Sequence, residues 1–318
     1  MKRVISTCLA LSMTLLCTFA LSGSAMAQQA EDAYTIDIPY EFPIQTGTPE
    51  WAELNTHRQK RIVSQVPEDI LHAMTTEALL ETVLNYPLLA DIYAYNSTEM
   101  GIETVSEQFN GLKELLNRSD FASVALAQME TRSKTLNYNT MSVSDDEDLD
   151  FLFESMVLSE LISSSTTLAQ DYTIGYKLTP MGSSVEVRYP MSDINFIQKK
   201  IINDQYDEQY PDATRLDGAT RVYNCHNYAW DESAPQEGWM PDPSAYMTDG
   251  SYRELDGETL KPGDILYSSE ADHSAIIYSI SGNIYDPITV TSKWGTAGLY
   301  RHSLYDCPYE DVSYSQWR

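Results

Sequence analysis

The sequence is short of three things: basic residues, cysteine and long apolar runs. Lys and Arg number 20 against 47 Asp and Glu, a formal charge of −27. Nucleic acid is therefore not an expected partner, because neutralising its phosphates takes a basic face. The same charge repels anionic polymers and lipid head groups, and it equally serves plain solubility. The chain has 4 cysteines, and those beyond the first 27 residues are Cys225 and Cys307, so one bridge at most is possible and a disulfide-stapled scaffold is excluded. The fold must rest on apolar cores. Beyond Leu21 no stretch approaches the ~20 apolar residues that span a bilayer, so stable membrane insertion is not expected.

The N-terminus reads as an export signal. Lys2 and Arg3 precede an apolar run from Leu9 to Leu21, and Ala25-Met26-Ala27 supplies the small residues a signal peptidase reads. Cleavage near Ala27 gives a secreted, extracellular chain that begins near Gln28. A lipid anchor would need a small residue before a cysteine, whereas Cys17 follows Leu15-Leu16. Cleavage removes Lys2 and Arg3 from the 20 basic residues and no acidic one, leaving 18 against 47, a formal charge of −29. The remainder is long enough for two domains of roughly 100 to 200 residues each.

Residues 28–50 are polar and without sustained period, an extended lead-in. From Val66-Pro67-Glu68-Asp69 onward the pattern turns helical. Proline and acids occupy a first helical turn, with Ile70, Leu71 and Met74 on one face. Thr75 or Thr76 can cap the next helix, and 105–116, 121–131 and 149–168 read alike. Residues 51–170 thus predict a mainly α-helical domain, its role unassigned. His57 and His72 stand alone in it, as a surface or core histidine does. The acidic run 144–148 lacks the ligand alternation and glycine of a calcium loop and reads as a solvated helix start. Near Tyr172 the period shortens: 172–178 and 184–189 flank Pro180-Met181-Gly182-Ser183, a hairpin signal. A helix over about 192–205 and strands at 264–267, 274–280 and 289–293 follow. The expected fold class is α+β, with a second domain over 171–318 and its core at 220–310.

Chemistry gathers in that second half. Tyr223-Asn224-Cys225-His226-Asn227-Tyr228-Ala229-Trp230 opens with a cap, Asn224, and places Cys225 at a helix start, where the dipole favours the nucleophilic thiolate. Lys261-Pro262-Gly263-Asp264-Ile265-Leu266-Tyr267 is a turn feeding a strand. Asp272-His273-Ser274-Ala275-Ile276-Ile277 then sets a histidine at the mouth of the next strand. A histidine held there can serve as base to a thiolate on a packed helix.

These segments resemble the NlpC/P60 and CHAP branch of papain-like cysteine peptidases and amidases, in the form found in secreted proteins of Firmicutes. The likeness extends to Asp249-Gly250-Ser251-Tyr252, to Ser292-Lys293-Trp294-Gly295 and to the N-terminal segments Gln65-Val66-Pro67-Glu68 and Phe109-Asn110-Gly111-Leu112. It implies a helix packed on an antiparallel sheet and hydrolysis of peptide or amide bonds in peptidoglycan or another secreted peptide polymer. It implies Cys225 as nucleophile, His273 as base, and no metal or other cofactor. Two departures stand out. His226 follows the nucleophile where serine is common, although successive side chains on a helix point about 100° apart. Papain's Asn-Ser-Trp-Gly has its likeness in 292–295 with serine for asparagine, which makes Ser292 the expected third member, with Asp286, Asn283 and Asp272 as competitors.

Three other readings remain open on sequence. Cys225, His226, His273 and His302 are ligand types for zinc, though adjacent Cys-His lacks the usual gap. A Cys225–Cys307 disulfide in an exported chain would leave a non-catalytic cell-surface binding module on the same scaffold. The helical half could bind a partner or cover the cleft.

Overall fold

The computed structural model describes residues 34–135, 146–163, 172–282 and 287–318; the export signal and the competitors Asn283 and Asp286 lie outside them. Among the described residues between 49 and 163 the regular elements are helical. They are α1 (Pro49–Ala52), α2 (His57–Val63), α3 (Glu68–Ala73), α4 (Thr76–Leu84), a 3-10 turn over Leu89–Tyr93, α5 (Thr98–Gln108), α6 (Asn110–Asn117), α7 (Phe121–Thr135) and α8 (Asp146–Ser163). Local chemistry sets their starts. Thr75 caps α4 by accepting from Ala78 N, and Thr56 with Gln59 closes a capping box on α2. α4 then buries Leu79, Leu80, Val83 and Leu84, the period that marks one apolar face.

The remainder supplies β1 (Tyr172–Leu178), β2 (Ser184–Pro190), α9 (Phe196–Gln209), β3 (Thr214–Asp217), α10 (Cys225–Trp230) and α11 (Ser244–Thr248), followed by β4 (Ile265–Ser268), β5 (His273–Ile280), β6 (Ile288–Lys293), β7 (Leu299–Ser303) and β8 (Ser315–Trp317). β1 and β2 form the hairpin read from sequence. The other strands make one antiparallel sheet in the order β3-β7-β6-β5-β4-β8. The fold is α+β, and no helix among the described residues is long and apolar enough to cross a membrane.

The change of pattern near Tyr172 separates helix from strand but not two cores. Residues 35–318 form one compact unit. A single apolar cluster runs from Phe42 and Trp51 through Leu79, Phe109 and Leu158 to Tyr206, Trp294 and Tyr309. Polar ties reinforce it. Lys60 Nζ lies 2.8 and 2.9 Å from the two oxygens of Asp306, both side chains buried. Asp91, 1% exposed, meets His57 Nε2 at 2.9 Å and accepts from Gln209 and Tyr210. His57 is thus a core histidine, while His72 is an exposed partner of Glu68. The two-domain expectation fails because the helices, which pack on one another, also share their apolar cluster with α9 and the β6–β7 hairpin. Gly295, at φ +45°, marks the closest approach: a Cβ there would stand 2.4 Å from the carbonyl oxygen of Tyr95.

Alternation along β4 and β5 fixes what each sheet face can hold. Ile265 pairs with Ile276 and Tyr267 with Ser274, and Ile265 shares a cluster with Ala229 and Trp230 of α10, joined by Tyr267 and Ile276. Leu266 and Ala275 belong instead to a cluster with Ile277 and Val290. Side chains alternate faces along a strand. Ser274 therefore faces α10, and His273 faces away from it.

Candidate active site

α10 is anchored by its cap. Asn224 Oδ1 accepts from Asn227 N at 3.1 Å and from Met240 N at 3.0 Å, while its Nδ2 donates to Met240 O at 2.8 Å and to Asn96 Oδ1 at 3.1 Å. Every hydrogen-bonding position of the amide is used, and Cys225 follows as the first helical residue, 2% exposed. Its Sγ lies 3.8 Å from His226 Nδ1 and 3.8 Å from the carbonyl oxygen of Asp272.

His226 is wholly buried and held from both sides of its ring. Nδ1 is 2.8 Å from Ser274 Oγ, which also accepts from Trp230 Nε1 at 2.8 Å, and Nε2 is 3.0 Å from Asp272 Oδ1. Asp272 sits in the left-handed region at φ +47°, uncommon for a side chain larger than glycine. That turn brings both its carboxylate and its carbonyl to the site. Asn96, from the helical half, donates to the Asp272 carboxylate and carbonyl at 2.7 Å each. Asn96 is half-buried and the Asp272 side chain 32% exposed, so the constellation meets solvent on that side.

Electrostatics follow from this packing. Burial acts against a charged imidazole, but attraction from the Cys225 sulfur and the hydrogen bond and charge of Asp272 outweigh it and raise His226 to about 10. Asp272 is opposed by its own burial, yet His226 and Asn96 hold its carboxyl below the ordinary carboxylate range. At neutral pH the arrangement favours an imidazolium between the Cys225 sulfur and the Asp272 carboxylate.

Two sequence-based assignments are corrected here. His273 does not pair with Cys225: strand parity turns its ring to the other sheet face, where it stacks on Tyr309 at 3.5 Å between ring centroids, with Nε2 buried and unbonded among the described residues. Burial and the neighbouring histidines push it well below its usual value, towards a neutral ring. Ser292 does not orient His273 either. Its hydroxyl bonds His302 Nε2 at 2.8 Å and accepts from Trp294 Nε1 at 3.0 Å. Of the competitors, Asp272 is the residue on an imidazole, that of His226. Successive side chains on a helix point about 100° apart, yet His226 Nδ1, close to the backbone, still comes within 3.8 Å of the preceding thiol. Cys225 and Cys307 are both free thiols, so the structural bridge is absent.

The segment 292–295 has a supporting task. Trp294 packs against Tyr206, Tyr210 and Tyr300, and Lys293 Nζ donates to Thr220 O at 2.9 Å and Gly295 O at 2.6 Å, tying the β6–β7 hairpin to the loop before α10. His302 Nδ1 donates to Ser303 O at 2.8 Å, which leaves Nε2 to accept from Ser292. Burial lowers His302 from 6.5 to about 4. Its unfolded form binds a proton near 6.5 and its native form only near 4, so this contribution is intact above the first value and lost as pH falls to the second. The loss amounts to about 3 kcal/mol. Urea unfolding of wild type and His302→Gln should show a difference in stability that shrinks across this window; a constant difference would contradict the assignment.

Sequence reasoning missed Asn96 and Ser274. Asn96 had no local signal, since its use depends on a contact 176 residues away with Asp272. Ser274 did leave one, a hydroxyl inside an otherwise apolar buried strand. No protein-family model, curated protein or solved structure matches the chain.

Proposed function

We propose that the chain is a cysteine hydrolase in which Cys225 is the nucleophile, His226 its acid and base, and Asp272 the group that holds the imidazolium. The succession of contacts Cys225–His226–Asp272 carries this reading, since nucleophile, base and orienting carboxylate in succession are what acyl transfer requires. The thiolate attacks the carbonyl carbon and forms a tetrahedral adduct. His226 gives its proton to the leaving nitrogen as the carbon–nitrogen bond breaks and a thioester forms. Water, deprotonated by the now neutral His226, then hydrolyses the thioester and restores the thiol.

More particularly, the enzyme is read as a secreted peptidase or amidase acting on peptidoglycan peptides or another secreted peptide polymer. The helix-borne cysteine on an antiparallel sheet supports a papain-like layout, and the sequence resemblance to NlpC/P60 and CHAP domains supports the substrate. The rival binding-module reading drew on a Cys225–Cys307 bridge, and both thiols are free. Incubation with purified muropeptides, followed by mass spectrometry, tests the proposal. Wild type should release products of amide hydrolysis and Cys225→Ala none; products from both, or from neither, would overturn it.

A further inference from the structure

Of the sheet edges among the described residues, β1 alone is unguarded. β3 is four residues long, carries Arg215 and Asp217, and shifts register against β7 between them. β8 is three residues long, and Leu255 N donates to its Gln316 O at 2.8 Å. The outer edge of β2 is tied to Trp239, which exchanges two backbone bonds of 2.8 Å with Arg188. Shortness, charge, a bulge or a cover are the means by which proteins keep strand edges from pairing with another chain. β1 has seven residues in unbroken register with β2, no proline and no carboxylate. Its one charge, Lys177, is turned inward onto Asn227 and Asp231 at 3.0 and 2.6 Å.

Parity shows what that edge offers. Arg188 points its N–H and carbonyl away from β1, so Ile174, which lies opposite, points its own to the open side, and Tyr172, Tyr176 and Leu178 follow by alternation. Among the described residues no backbone bond reaches that side. The four side chains share the outer face, 38, 57, 69 and 69% exposed from Tyr172 to Leu178. Beside them Glu186 and Arg188 neutralise each other at 3.1 Å. In a chain of formal charge −27 this strip is neutral, and the partner it suits is a strand equally free of outward charge. A second β1 is such a strand.

We propose that two copies of this chain pair through β1, antiparallel about Gly175, and join their hairpins into one four-stranded sheet. Tyr172 then lies opposite Leu178 of the partner subunit and Ile174 opposite Tyr176 of the partner subunit, so that all four outward-facing residues bond and the apolar row continues across the two-fold axis. Sliding by two residues in either direction leaves one of the four beyond the partner's strand. Repulsion between two strongly acidic subunits opposes the contact, so salt strengthens it, the reverse of an interface held by ion pairs.

Sedimentation velocity on the chain beginning at Gln28 reads this without any turnover. The mass should rise from monomer to dimer with protein concentration, and the dissociation constant should fall as salt is raised. Tyr176→Lys sets an outward charge on the edge and should weaken association by about tenfold or more, as like charges brought together do. Ile62→Lys, at a similarly exposed apolar residue on α2, should leave association unchanged. Both variants are checked by thermal unfolding, and hydrogen exchange of residues 172–178 should slow as the wild type associates. A wild type that stays monomeric, association that salt weakens, equal association in Tyr176→Lys or its loss in Ile62→Lys overturns the inference. So does a monomer in which exchange of 172–178 slows only when peptidoglycan peptides are added, since the strand's partner would then be a substrate.

Discussion

Replacing His226 with alanine should lower turnover on the order of 10³-fold, while His273→Ala should stay within about tenfold of wild type. His226 is the imidazole bonded to Cys225, and its opposite nitrogen is fixed by Asp272. In the proposed mechanism its loss deprives the thiol of a proton acceptor in the attack and of a donor for the leaving nitrogen. His273 touches Tyr309 on the far sheet face, so its loss is felt in packing. Cys225→Ala with His226→Ala should be little worse than either alone, because members of one catalytic unit are not additive. Asp272→Asn keeps the shape and removes the charge that sustains the imidazolium, and should fall between the two. Turnover of muropeptides by folded variants reads all of these. Normal activity in His226→Ala, with loss in His273→Ala, would restore the histidine that the sequence suggested.

Lys60→Ala should destabilise the protein by about 3–5 kcal/mol, the usual cost of stranding one member of a buried ion pair. The Lys60 ammonium has Asp306 at 2.8 Å and the Tyr210 ring at 4.8 Å, and the Asp306 carboxyl, already pushed up by burial, is left without its counter-charge. The consequence is global. Lys60 lies on α2 and Asp306 beyond β7, so the pair bridges the helical half and the sheet half of one core. Far-ultraviolet dichroism and tryptophan fluorescence should therefore follow a single shifted urea transition. Two transitions, only one of them shifted, would mean that the helices fold as a separate domain. Replacing both partners with apolar residues, Lys60→Met with Asp306→Leu, should recover much of the loss.

What the sequence disclosed, and what it concealed, follows the range of the interactions. The helix ending in Gln209, the 172–190 hairpin and the strands bearing Ile265, His273 and Val290 announced themselves through caps and period, which are local. Cys225 was legible for the same reason: Asn224 caps its helix in the next residue. The choice between His226 and His273 was not local. It depended on which side chains of β5 face α10, a parity set by pairing Ser274 with Tyr267. Asn96 and the shared core were hidden for a like reason. The helical segment shows an apolar face in sequence but not that Tyr206 and Trp294 share its core.

Iodoacetamide labelling of the two thiols tests the central pair without any substrate. Thiolate is the reacting form, so a cysteine held beside an imidazolium is alkylated at a pH where an ordinary buried thiol is not. Cys307 is the internal reference, because burial pushes its thiol up. Wild type at neutral pH should label at Cys225 well before Cys307, His226→Ala should slow Cys225 by about tenfold or more, and His273→Ala should leave it unchanged. An unchanged rate in His226→Ala, or a Cys225 no faster than Cys307 in wild type, would contradict the pairing of Cys225 with His226.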